Sequence, residues 1–171
     1  MWNADAVLKC WYEGEVGGEA LFWGLAEAAE PELARKWLSL AEVESRVARM
    51  LAGVIASRSQ PIPECADDLV RERARARRDA VSGKSWLELM QWLKLIAASA
   101  LAEMRADAAR LPAELSAAGR LVVAHEQALV DFADLEIAGR GAESLRPVTE
   151  FLSLLAARPG RQDLVGDRVI Q

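Results

Sequence analysis

One histidine, two cysteines and six prolines leave this 171-residue chain few ways to build the commoner kinds of functional site. Cys10 and Cys65 stand apart, without paired or metal-type spacing, and a chain of this length can bury a core without a covalent staple, so no disulfide framework is expected. There is no Ser–His–acid set, no phosphate-binding loop and no dinucleotide fingerprint, which leaves hydrolase and nucleotide-binding readings without support. No apolar stretch approaches the roughly 20 residues needed to span a bilayer. The opening residues Met1-Trp2-Asn3-Ala4-Asp5 also lack the basic start of a secretory signal, so a cytoplasmic protein with no membrane partner is expected. Nor is there an excess of positive charge: the net charge is -5 and the pI near 5.1, opposite to the footprint of a general nucleic-acid binder. A small molecule, a metal or a protein is the expected partner, and a homo-oligomer is compatible with this composition.

What the chain does have is helix formers. It is 52% hydrophobic and 27% charged, with long runs of Ala, Leu, Glu and Arg, side chains that lose little rotamer freedom in a helix. An all-α fold follows, with a helical domain over 1–157 and a loose tail over 158–171. The 3.6-residue period places Ala4, Leu8, Trp11, Glu15, Gly18, Phe22, Leu25 and Ala29 on one stripe of a first helix over about 4–30. Pro31 suits the first turn of a second helix, whose seam is Leu33, Trp37, Leu40, Glu44, Val47, Leu51 and Val54. So short a link makes the two antiparallel neighbours.

The pattern breaks at Ser-Gln-Pro-Ile-Pro, and 65–81 reads as a weaker crossover helix. Its Arg71, Arg73, Arg75, Arg77 and Arg78 are diluted by Asp67, Asp68, Glu72 and Asp79, the composition of a solvated helix. Ser85-Trp86-Leu87-Glu88 is a capping box that opens the next helix. Its seam runs through Trp86, Leu89 or Met90, Leu93, Ile96 or Ala97, Ala100 and Met104 and ends near Leu111-Pro112. After a second tight turn comes a helix with Leu115, Ala118, Val122, His125, Leu129, Phe132 and Glu136 on its seam, stopped at Gly139. Pro147 opens a short last helix through Phe151, Leu154 and Leu155, ended by Arg158-Pro159-Gly160.

Three of the four long seams carry an ionisable residue near mid-length: Glu15, Glu44 and His125. A buried charge without a partner costs several kcal/mol, so each needs a cation, a proton or hydrogen bonds. Glu15 lies about 15 residues before the first turn and Glu44 about 14 after it, a mismatch of only ~2 Å at 1.5 Å per residue, so the two should face each other. His125, with Glu126 beside it, falls level with Ala97-Ala98-Ser99-Ala100, small residues that leave a pocket or allow close helix approach. The pair Gly17-Gly18 beside Glu15 points to a close contact or a local bulge. Trp11, Trp37 and Trp86 fall on seams and read as core.

With Trp11-Tyr12-Glu13-Gly14-Glu15 through Ala20-Leu21-Phe22-Trp23, Leu40-Ala41-Glu42-Val43-Glu44, and His125-Glu126-Gln127-Ala128-Leu129 leading to Phe132 and Glu136, the chain resembles the ferritin-like, or rubrerythrin-like, superfamily over roughly 4–139. The resemblance implies a four-helix bundle of two antiparallel hairpins joined by a long helical crossover, here with a short C-terminal helix added. It also implies a metal site in the bundle interior. Members that hold two irons place a lone Glu on two helices and Glu-x-x-His on the other two. By resemblance Glu15 is the lone ligand of the first helix and Glu44 the Glu of the second. Val47 stands where its His would be, and on the later helix Glu126 fits the Glu while Leu129 holds the partner position. With a single His the two-iron set is incomplete.

The expectation is therefore an interior site of Glu15, Glu44, His125 and Glu126 holding one iron, manganese or zinc ion, with Tyr12 or Glu19 behind the ligands. The alternative is a non-catalytic module in which the same residues, with Arg or Tyr side chains, form a satisfied polar network and the protein works by binding a protein or an apolar ligand. Glu136, near its helix end, reads as half of a salt bridge between helices; Glu13, Glu19 and Glu42 lie at stripe edges.

Overall fold

The computed structural model describes residues 2–62 and 66–157. Among them there are six α-helices and no strand: α1 Ala4–Glu27, α2 Pro31–Ser57, α3 Ala66–Ala80, α4 Trp86–Ala108, α5 Ser116–Ile137 and α6 Arg146–Ala156. Cys65, Arg158-Pro159-Gly160 and the tail beyond lie outside the described residues.

The helix ends follow local chemistry. Asn3 caps α1, its side-chain oxygen accepting from the Asp5 N–H at 2.9 Å. Pro31 occupies the first turn of α2, where its missing N–H leaves no bond unmade. At α4 the capping box closes as the sequence predicts: the Ser85 N–H donates to Glu88 Oε2 at 2.8 Å, and the Glu88 N–H reaches Ser85 Oγ at 3.4 Å. Gly139 follows α5 at φ +72°, the left-handed geometry expected there.

Three boundaries differ from the sequence reading. The first helix stops at Glu27 rather than 30, its last turn closed by Ala29 N–H to Ala26 O. The fourth stops at Ala108, short of Leu111-Pro112. Leu115 belongs to a single 3-10 turn, Ala113–Leu115, that leads into α5. The seam of α4 is also displaced, since Met90, Leu93, Ala97, Leu101 and Met104 are buried. Leu101 thus continues the seam where Ala100 was expected.

The helices α1 and α2 pack along their length, as do α4 and α5, and the two hairpins meet where α2 touches α5. The connecting helix α3 lies along the outer flank of α1, with Val70 against Val16 and Ala48. Gly17 permits that approach, because a Cβ there would stand 3.1 Å from Val70. Against α5 and α2, α6 packs through buried Val148 and Phe151. The seam residues Trp11, Trp37, Leu40, Leu93, Leu129 and Phe132 are buried, and Trp86 packs against this core while only partly buried. Trp37 stacks on Phe22 at 5.6 Å between ring centres and meets Trp86 edge-on at 5.3 Å.

Polar ties fix both ends of this assembly. At one end Glu136 pairs with Lys36 and accepts from Trp86 Nε1 at 2.8 Å, while Lys36 Nζ also donates to Gly141 O at 3.1 Å. Burial alone would push the Glu136 carboxyl up, but hydrogen bonds from Lys36, Ser144 and Trp86 outweigh it and hold the pKa below the ordinary value. The interhelical salt bridge expected of Glu136 is thus present; its partner Lys36 was not identified from sequence. At the other end Arg58 joins Asp5 at 2.5 Å and approaches Glu114 at 3.9 Å. Truncating buried Leu40 or Leu129 to Ala should lower stability by about 2–5 kcal/mol in urea unfolding; unchanged midpoints for both would mean that these seams do not form the core.

Candidate functional site

Four polar side chains sink into the apolar interior at mid-height: His125 is 0% exposed, Glu15 1%, Glu44 4% and Glu126 8%. Each is carried there by the helical period that buries its neighbours, Trp11 and Phe22 around Glu15, Leu40 and Val47 around Glu44, and Val122 and Leu129 around His125. The imidazole stands between two carboxylates from the other hairpin, with Nδ1 3.4 Å from Glu15 Oε2 and Nε2 3.5 Å from Glu44 Oε1. One donor atom from each of Glu15, Glu44 and His125 falls within 4.8 Å of the others. Glu126 is buried beside this trio without joining it, so three of the four residues expected to ligate a metal come together and the fourth flanks them.

Room for the trio comes from Gly18. A Cβ there would lie 2.6 Å from the Glu44 carboxyl carbon and 2.7 Å from Oε2, closer than any side chain tolerates. The expectation of a close contact is met in this form, with α1 running as an unbroken α-helix through Gly17 and Gly18. Tyr12 is half-buried and packs beside Val16, Ala48 and Val70.

The contacts at 3.4 and 3.5 Å are long for charge-assisted hydrogen bonds, which favour about 2.7–2.9 Å. Both oxygens of Glu15, both ring nitrogens of His125 and Glu126 Oε2 are buried without a hydrogen-bond partner. A native interior leaves few such atoms, and five in one place is a concentrated deficit.

Burial pushes the Glu44 carboxyl well above its ordinary pKa, and nearby Glu15 adds to the shift, while His125 pulls it only partly back. Burial alone would lower the imidazole, but Glu15 and Glu44 on either side raise it well above 6.5. Glu126 is raised to about 7, mainly by burial and further by Glu15, against the opposing pull of His125. All three shifts favour the protonated forms of Glu44, His125 and Glu126.

Beside the trio a cavity of about 430 Å³ opens between α1 and α4, with Glu44 and Glu126 in its wall. Ala97, Ser99 and Ala100 line the α4 side, the small residues expected level with His125. No family model, curated protein or solved structure matches the chain.

The proton-holding state makes a pH dependence that can be measured on metal-free protein. Carboxyls whose folded pKa is raised contribute stability that is complete below the unfolded value near 4.5 and is lost as pH rises through the folded value. His125 acts in the same sense, its contribution complete below 6.5 and lost above its raised folded value. Unfolding free energy should therefore fall as pH rises from 4.5 towards and beyond 7. Glu126→Gln should flatten that slope and stabilise the protein at about pH 8 by up to roughly 3 kcal/mol, as urea titrations would report. A slope unchanged by the substitution would show that Glu126 is not held protonated by burial.

Proposed function

We propose that the chain is a ferritin-like four-helix bundle that binds a single divalent metal ion, iron, manganese or zinc, through Glu15, Glu44 and His125. The observation that carries this reading is the coincidence of three donor groups within 4.8 Å with buried Glu15 and His125 atoms that have no hydrogen-bond partner. Ligand atoms about 2.1 Å from a common ion lie roughly 3.4 Å apart in tetrahedral geometry, so with one donor atom from each residue within 4.8 Å the trio would close in by about an ångström around an ion. Carboxylate oxygen with imidazole nitrogen suits those three ions. The order of elements, two hairpins with α3 between them and acidic residues at matched levels, supports the ferritin-like assignment.

The donor set also argues for one ion rather than two. Val47 and Leu129 are apolar and buried at the positions where a two-iron site of that superfamily would carry further ligands, and α4 presents no carboxylate among its buried residues. Only one ring nitrogen of His125 can face a given ion. The carboxylate beside the other nitrogen would then serve twice, one oxygen on the ion and the second accepting the ring N–H, which would fix the ring orientation and raise its basicity. A bound ion would supply Lewis acidity, or redox chemistry if it is iron or manganese, at the wall of the cavity. The chain's own contribution is to exclude bulk water, to hold the donors at fixed levels, and to accept or release the protons that metal binding displaces.

Elemental analysis of protein purified after expression with iron, manganese and zinc should find close to one ion per chain. Glu44→Ala should lower that occupancy at least about tenfold. Gly18→Ala, whose methyl group would displace the Glu44 carboxylate, should weaken metal retention while leaving helix content intact. Saturating metal at about 100 times its Kd should raise unfolding free energy by about 2.7 kcal/mol. Absence of metal under all three supplements overturns the proposal and leaves a non-catalytic module, in which Glu44→Gln would be neutral or stabilising because an amide avoids the cost of a buried charge.

A further inference from the structure

The cavity between α1 and α4 has a division of surfaces that the metal site alone does not explain. Its walls are apolar, formed by Leu21 and Phe22 from α1, Trp92 and Ile96 from α4, and Met104 and Leu129 deeper in. Its polar residues fall into two groups. Glu44 and Glu126 are buried at the inner end, whereas Ser99, Glu103 and Arg77 are exposed at the rim. The single cation is thus at the mouth, and the buried polar groups inside are carboxylates. Glu126 is more than nine-tenths buried, lines the cavity, and has an Oε2 with no hydrogen-bond partner. Gly14, at the α1 edge, opens on unfilled space, since a Cβ there would meet nothing within 4 Å.

We infer that this cavity is a binding site for a small amphipathic amine, whose apolar body lies against Leu21, Phe22, Trp92 and Ile96 and whose ammonium group donates to Glu126. The volume of about 430 Å³ falls within the range of small-molecule sites, which are mostly apolar with a few convergent polar groups. A carboxylic acid would set its charge against Glu44 and Glu126, and a bare inorganic cation would gain nothing from the aromatic and aliphatic walls. An ammonium head on an alkyl or aryl body satisfies both surfaces, and its charge-assisted hydrogen bond gives the orphaned oxygen a partner. Trp92 adds an aromatic face beside the path of the cation. Glu126 lies outside the Glu15, Glu44 and His125 set, so the inference goes beyond the metal reading and stands without it.

Three probes of equal chain length separate the contributions: hexylamine, hexanol and hexanoate, titrated into the full chain at about pH 8, where the amine is protonated and the acid ionised. Binding is read by calorimetry and by tryptophan fluorescence. Hexylamine should bind at least about tenfold more tightly than hexanol, and hexanoate more weakly than either. Glu126→Gln should abolish the preference for amine over alcohol while leaving hexanol binding within about twofold. Ala100→Trp and Gly14→Phe, each placing bulk in the cavity, should weaken all three probes, and melting curves confirm that the variants fold. Equal affinity for the three probes, a preference that survives Glu126→Gln, or no hexylamine binding at all overturns the inference. The titration is run on metal-free protein and again with one equivalent of zinc. Failure to retain metal leaves the metal-free amine result standing, and failure to discriminate amines leaves the metal stoichiometry standing.

Discussion

An imidazole held between two carboxylates in the buried interior is the constraint on which the rest of this structure depends. His125 reaches from one hairpin to Glu15 and Glu44 of the other at 3.4 and 3.5 Å. Removing such groups from water costs several kcal/mol each, and their mutual attraction repays it only when geometry is held closely. Three helices must therefore keep fixed relative levels. The ties at the two ends act on that requirement. Lys36 with Glu136 and Trp86 joins α2, α5 and α4, while Arg58 links the end of α2 to the start of α1 and to the turn before α5. Gly18 completes the arrangement by leaving the space that the Glu44 carboxyl fills.

The fourth long helix breaks the symmetry of the site. Facing the trio, α4 offers Leu93, Ala97 and Ala100 where its counterparts offer acids or a base, and small side chains against Gly14 and Gly18 leave a cavity rather than a packed seam. The cavity consequently meets the polar centre at Glu44 and Glu126, beside an apolar wall from α1 and α4. A site reached in this way can take a molecule with a body as well as a charge.

Much of this was legible in the sequence, because the helical period and the position of each turn together fix which residues share a level. Glu15, Glu44 and His125 could be placed at mid-height by counting from the turns, and Ser85 with Glu88 marked a helix start by their own hydrogen-bonding chemistry. What could not be read depended on tertiary contact. Lys36 sits beside Trp37 and is indistinguishable from a solvated lysine until Glu136 arrives from α5. Glu126 shares a helix with His125 but points a little over a quarter of a turn away, so adjacency in sequence placed it nearer the trio than it lies. The displaced seam of α4 has the same origin. Ala100 and Leu101 both satisfy a loose 3.6-residue pattern, and only the packing of α4 on α5 selects Leu101 for burial.

The same donor set explains how the chain can fold before any ligand reaches it. Raised pKa values at Glu44 and His125 mean that the interior takes up protons as it forms, so that near neutral pH protons supply the positive charge the carboxylates need. Under the proposed function, a metal ion entering later would compete with those protons for the same lone pairs, and its apparent affinity would rise with pH as they are released. On that proposal, proton and metal would be alternative occupants of one electrostatic requirement. What would change between them is the charge presented to the cavity through Glu44, which lines its wall.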